Sequence, residues 1–195
     1  EGVEYCTRGS MDMFAHKTNV NIDNRMVVFN IRDLGGQLRQ IGLTIIFDFV
    51  WNTMIANKNK GVRTYCYCDE IHVMFKNYTS ADYLQQLYKR GRKYGLCITG
   101  ITQSVTDLLR SEQAKGMLAN SDFIMMLNQS AGDLEVLTEL LNISDAQKPF
   151  VTGAEAGTGL LFAEKVIVPF GDQFPTDSYV YKLMSTKFGE EMTKD

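Results

Sequence analysis

The chain has 195 residues, 45% of them hydrophobic and 22% charged, which suits one domain with a buried core and leaves little room for a second. A formal net charge of −3 provides no overall basic field of the kind that gathers nucleic acid. Four cysteines without a C-x-x-C pair, no signal-peptide pattern and no apolar run near the roughly 20 residues of a membrane span argue against a disulfide scaffold and a spanning helix, and predict a soluble chain with free thiols in a reducing compartment.

Residues 1–25 are polar and without clear period; with Glu1 in place of Met they read as a remnant of an upstream helical or insert region, in a chain excised from a longer protein. Met26–Ile31 is a short candidate strand, and Asp33-Leu34-Gly35-Gly36 turns the chain. A helix is predicted over Leu38–Ala56, with Leu38, Ile41, Ile45, Phe49 and Asn52 at helical spacing and most faces apolar, as for a helix packed on a sheet. Strand Thr64–Cys68 follows, then a helix over Ala81–Lys93 with Ser80 as its N-cap and a basic run, Lys89–Lys93, at its end. Gly95–Thr102 is a third strand, Ser104–Leu109 and Glu112–Ala119 are short helices, and Phe123–Leu127 is a fourth strand. Ala131–Leu141 is a helix with an acidic exposed face; Gly159–Ala163 and Val166–Phe170 close the sheet, and Tyr179–Met184 is a short helix in the polar tail 172–195. Strands alternating with helices predict an α/β fold with a mainly parallel sheet flanked by helices.

In such sheets ligands bind beyond the carboxyl ends of the strands. Thr64–Cys68 runs into Asp69 and Glu70, Gly95–Thr102 into Gln103, and Phe123–Leu127 into Asn128 and Gln129. A buried strand followed by two acids is the Walker B pattern. The first carboxylate, Asp69, would face a hydrated Mg2+, a hard ion suited to oxygen ligands. The second, Glu70, would orient the water that attacks a γ-phosphate, and Gln103 on the neighbouring strand would sense that phosphate. The alternative is a solvated helix start, since acids favour helix N-termini.

The other candidates are weaker. His72 lies close to Cys66, Cys68, Asp69 and Glu70, but the spacing matches no zinc pattern, so a packed or hydrogen-bonded helix residue is expected. Cys66 and Cys68 share one strand face and make poor disulfide partners; mid-strand Cys97 reads as a small buried hydrophobe. Arg92, in the basic run, falls at the opposite end of the strand that presents Gln103. It is either a solvated helix end or an arginine that reaches a neighbouring subunit's nucleotide. The phosphate loop G-x-x-x-x-G-K-[ST] is absent; Gly153–Gly159 is the nearest fragment and lacks the closing Lys-Ser/Thr.

Y-C-D-E-I-H-V-M-F, L-Y-K-R-G-R-K-Y-G-L-C-I-T-G-I-T-Q, D-L-L-R-S-E-Q-A and L-A-N-S-D-F-I-M-M-L-N-Q, in this order and spacing, closely resemble the C-terminal ATPase domain of the conjugation ATPases, the VirB/TraE/TraC-like motors of type IV secretion in Gram-positive conjugative elements. G-T-G-L-L-F and V-I-V-P-F-G-D-Q-F-P extend the resemblance, which covers about Met26 to Leu183. It implies a RecA-like P-loop NTPase core of the HerA/FtsK group, truncated before the Walker A loop, with 26–171 as the C-terminal part of the ATPase domain.

It also implies ATP and Mg2+ as cofactors, Asp69 as the metal-side acid through water, Glu70 as the catalytic glutamate, Gln103 as the sensor and Arg92 as a finger toward a neighbour's ATP. Gly157 and Gly159 would lie near the nucleotide, and Arg110 would be a second phosphate or interface group or else a surface salt bridge. The implied partners are further copies in a hexameric ring, inner-membrane secretion-channel proteins and coupling proteins. The implied location is cytoplasmic and peripheral to the membrane. A non-catalytic assembly module, and a coupling-protein or FtsK-like DNA translocase, are the competing readings; the acidic balance argues mildly against DNA.

Overall fold

A strand needs a neighbour to take its backbone groups, and the pairing divides this chain into two sheets. The computed structural model describes residues 16, 17, 19 and 21–185; most of the expected remnant 1–25 and the last ten residues of the tail lie outside them. The chain forms two compact units, residues 1–68 with 77–99, and residues 69–76 with 100–195.

The first unit holds α1 (Gly36–Asn59), β1 (Thr64–Cys68), α2 (Tyr78–Arg90), a 3₁₀ turn at Gly91–Tyr94 and β2 (Leu96–Gly100), whose last residue belongs to the second unit. Strands β1 and β2 are neighbours. Thr64 N–H donates to Gly95 O at 3.0 Å and Ile71 N–H to Ile101 O at 2.9 Å, so partners advance together and the strands run parallel. The core is Met54, Leu87 and Leu96, with Trp51, Cys66, Tyr83, Tyr94 and Ile98 packed against it. Tyr83 stacks on Phe47 at 4.6 Å between centroids and donates its hydroxyl to the Phe47 carbonyl at 2.7 Å. Burial and the nearby Asp48 push the Tyr83 phenol up to about 12.

Four expectations are corrected here. Met26–Ile31 is not a strand: Met26 and Val28 are 81% and 78% exposed, and among the described residues no strand lies beside them. The buried stripe of α1 is Leu43, Phe47 and Met54, while Ile45 and Asn52 face outward. With apolar residues on most faces, periodicity could not choose the stripe; packing on Tyr83 does. Helix α2 starts at Tyr78 because Asn77 is its cap, its side chain accepting from Thr79 N at 2.9 Å and Ser80 N at 3.3 Å. Cys97 is exposed, because alternation along β2 buries Leu96 and turns Cys97 to the other face. Cys66 and Cys68 are free thiols with sulfurs 3.9 Å apart, and the hydrogen bond with Cys66, together with burial, pushes the Cys68 thiol up.

The second unit holds a 3₁₀ helix at Ile71–Lys76, α3 (Val105–Leu108), α4 (Glu112–Ala119), β3 (Phe123–Met126), α5 (Ala131–Leu141), a 3₁₀ turn at Lys148–Phe150, β4 (Thr158–Ala163), β5 (Val166–Gly171) and α6 (Tyr179–Met184). The sheet order is β3-β4-β5, antiparallel throughout, with Met126 opposite Leu160 and Ala163 opposite Val166. The parallel pairing of this α/β fold is thus that of β1 and β2. Met126, Leu137, Ile143, Val151 and Leu160 form the unit's core. Helix α5 runs from its Ser130 cap to Asn142, which ends it in the left-handed conformation at φ 56°.

Candidate functional site

The acids expected at the end of β1 open the second unit. Asp69 follows β1 directly and is exposed. Its Oδ1 accepts from Glu70 N at 2.9 Å. Glu70 itself takes φ 47°, a left-handed backbone that few non-glycine residues adopt and that marks local strain. The Glu70 carbonyl accepts from Val73 N at 2.9 Å and starts the 3₁₀ helix that carries His72.

The chain after β2 returns beside this turn. Gln103 Nε2 donates to Glu70 Oε1 at 2.7 Å. His72 Nδ1 lies 3.2 Å from Glu70 Oε2 and 3.3 Å from Thr102 Oγ1. The Glu70 side chain is 41% exposed and that of His72 only 17%. The structure therefore brings together Glu70 and Gln103, with Asp69 as backbone neighbour. Sequence reasoning missed the tie from His72 to the Glu70 carboxylate, although a histidine two positions after an acid at a sharp turn was a usable signal.

The remaining candidates lie elsewhere. Arg92 belongs to the first unit, exposed in the turn Gly91–Tyr94, and among the described residues it has no ion pair. The side chain of Arg110 is 78% exposed and pairs with Asp107 Oδ1 at 3.3 Å, the surface salt bridge of the two alternatives. Gly157 has φ 86°, and a Cβ there would collide with the Asp172 carbonyl, whose own amide donates to Gly157 O at 2.8 Å. At Gly159 a Cβ would collide with the Met126 carbonyl across the sheet. Both glycines thus have a packing reason within the β3-β4-β5 sheet. Gln129 turns back on the chain, its Nε2 donating to Leu127 O at 2.9 Å.

A second carboxylate was read as part of an exposed acidic face and is not. Asp133 is 8% exposed. It accepts from Thr106 N at 2.8 Å, Thr106 Oγ1 at 2.7 Å and Ser130 Oγ at 2.8 Å, tying the start of α5 to α3. Burial disfavours its charge most strongly, but the donors from Thr106, Ser130 and the Val105 amide outweigh it together and hold the carboxyl below its ordinary pKa. Glu135 and Glu139 do face solvent.

Among the described residues no group of three or more His, Cys, Asp or Glu side chains could cage a metal. The exposed Asp69 fits a narrower role. Mg2+ keeps several waters and uses one or two carboxylates plus substrate phosphates, and Asp69 has a carboxylate open to such water.

Two neighbouring parallel strands thus lead into an acid pair after one and a glutamine after the other, with the glutamine on the second acid. The chain belongs to the TraG P-loop domain family, whose model matches residues 4–185. The resemblance to the conjugation ATPases is borne out by this family. Among solved structures, VirB4 of Thermoanaerobacter pseudethanolicus shares the fold at a TM-score of 0.74 and 24% identity, over 90% of this chain and 49% of that one. The chain therefore spans about half the length of that relative. No curated protein sequence matches it.

Proposed function

We propose that this chain is the C-terminal portion of an ATPase that powers assembly of, or substrate transfer through, a conjugative type IV secretion channel. The observation that carries the proposal is the 2.7 Å hydrogen bond from Gln103 to Glu70. It joins the ends of two adjacent parallel strands at the carboxylate that would orient the attacking water. Asp69 would hold Mg2+ through water, and the ion would neutralise charge on the transferring phosphoryl group. Arg92, on the other unit, is available to a neighbouring subunit's ATP in a hexameric ring. The ring would sit on the cytoplasmic side, held to the membrane by channel and coupling proteins.

The phosphate-loop motif does not occur in this sequence. The phosphate loop would precede this chain, and the chain alone should bind nucleotide weakly or not at all. Saturable micromolar binding of Mg-ATP by residues 1–195 would contradict this. The test of function is steady-state ATP hydrolysis by a protein extended upstream through the phosphate loop, wild type against Glu70→Gln. Loss of turnover with ATP binding retained supports the hydrolase.

One observation favours a second reading. Both Glu70 oxygens already have side-chain partners, Gln103 and His72, as in a purely structural network. Equal turnover in the two proteins would give the assembly-module reading the lead.

A further inference from the structure

We propose that His72 is the positioning residue for Glu70, holding its carboxylate through a protonated Nδ1. The inference concerns the site proposed above and rests on that reading for its catalytic consequence, but not for its chemistry.

The proton assignment follows from Thr102. Its Oγ1 lies 3.1 Å from the Ser104 carbonyl and 3.2 Å from the Ser104 amide. A hydroxyl has one proton, and a carbonyl can only accept, so we assign that proton to Ser104 O. Oγ1 then meets the Ser104 amide and His72 Nδ1 with its lone pairs. Glu70 Oε2 is an acceptor as well. With acceptors at 3.2 and 3.3 Å, Nδ1 carries the proton, hydrogen-bonded to Thr102 Oγ1 and in ion-pair contact with Glu70 Oε2. The ring is held as the Nδ1–H form by Thr102 whether or not Nε2 also carries a proton.

The consequence is a two-point clamp. Gln103 holds Oε1 and His72 holds Oε2, which fixes the plane of a carboxylate that stands on a strained backbone turn. Each oxygen keeps a second lone pair, and the half-exposed side chain can offer it to a water. Without His72, Glu70 hangs from Gln103 alone and can rotate about that bond. Because His72 reaches the reaction only through Glu70, its loss should lower kcat and leave KM nearly unchanged. A small displacement of a reacting group can cost on the order of 100-fold, and a loss of roughly 10- to 100-fold is expected for His72→Ala.

Two measurements test this. In the chain itself, 15N spectra of the neutral His72 ring should show Nδ1 protonated and Nε2 bare. The opposite tautomer overturns the proposal whatever the protein's activity. In the protein extended through the phosphate loop, kcat and KM are compared for wild type, His72→Asn, His72→Gln, His72→Ala and Glu70→Gln. Asn places its amide nitrogen where Nδ1 stands, and Gln places its own nearer Nε2. His72→Asn should stay within about threefold of wild-type kcat, while His72→Gln should fall with His72→Ala. If the Asn and Gln variants behave alike, the histidine merely packs and the proposal fails. If Glu70→Gln turns over like wild type, it is the hydrolase reading that fails, and the tautomer result stands apart from it.

Discussion

Two carboxylates of the second unit, Asp133 and Glu70, stand near the starts of helical segments and are built in opposite ways. Asp133 is buried and saturated: two donors from Thr106 and one from Ser130 lock it between α3 and α5. Glu70 is half-exposed, stands on a left-handed backbone, accepts one hydrogen bond from Gln103 on Oε1 and has His72 Nδ1 3.2 Å from Oε2. Asp133 spends its hydrogen-bonding capacity on joining two elements of the fold. Glu70 is oriented and keeps lone pairs in reserve. The contrast separates a structural acid from one fit to handle a water.

The largest effect expected on this contrast is catalytic. General-base groups contribute roughly 10²- to 10⁴-fold, so Glu70→Gln should cost about that in kcat in an upstream-extended protein, with little change in thermal stability. Asp133→Ala should do the reverse. Hydrogen bonds to a charged group are worth about 1.5–3 kcal/mol, so loss of the Asp133 network should lower the melting temperature by roughly 5–10 °C for a chain of this size.

The pH dependence of that loss can be worked out. The folded pKa of Asp133 is depressed, so its contribution is fully present above the ordinary carboxylate value near 4. It is lost as pH falls from there through the folded value. Acid melting of wild type should therefore converge on that of Asp133→Ala at low pH, and a constant gap between them would count against the network.

Smaller effects are expected in the first unit and at the surface. Tyr83→Phe removes the bond to the Phe47 carbonyl and keeps the stack, a loss of about 1 kcal/mol by denaturant unfolding. Arg110→Ala breaks only an exposed ion pair with Asp107 and should change stability by less than about 0.5 kcal/mol. A large loss of ATP turnover in that variant would give Arg110 the phosphate role that its surface position does not suggest.

Much of this site was legible in sequence because strands and acids stand next to each other in the chain. Thr64–Cys68 runs straight into Asp69 and Glu70, and a strand ending before Gln103 needs only the neighbour rule to bring the two together. Helix α5 was placed correctly at Ala131–Leu141, and the structure shows Ser130 and Asn142 at its ends. What failed depends on long-range packing. Asp133 looks like any acid in a first helical turn until Thr106, far away in sequence, folds onto it. Cys97 was assigned to the wrong face because a short apolar strand does not reveal which parity is buried. Met26–Ile31 has strand-forming residues but no neighbour to pair with among the described residues. His72 was seen as a hydrogen-bonded residue, but one of its partners, Thr102, lies 30 residues on and comes to it only through the fold.

The most direct test sets the two carboxylates side by side. Melting temperature and ATP turnover would be measured for Glu70→Gln and Asp133→Asn in the protein extended through the phosphate loop. The account predicts that Glu70→Gln melts like wild type and has lost turnover, while Asp133→Asn melts lower and, where folded, still hydrolyses ATP. A Glu70→Gln protein that melts several degrees lower and turns over normally would contradict it, and would make both acids part of the scaffold.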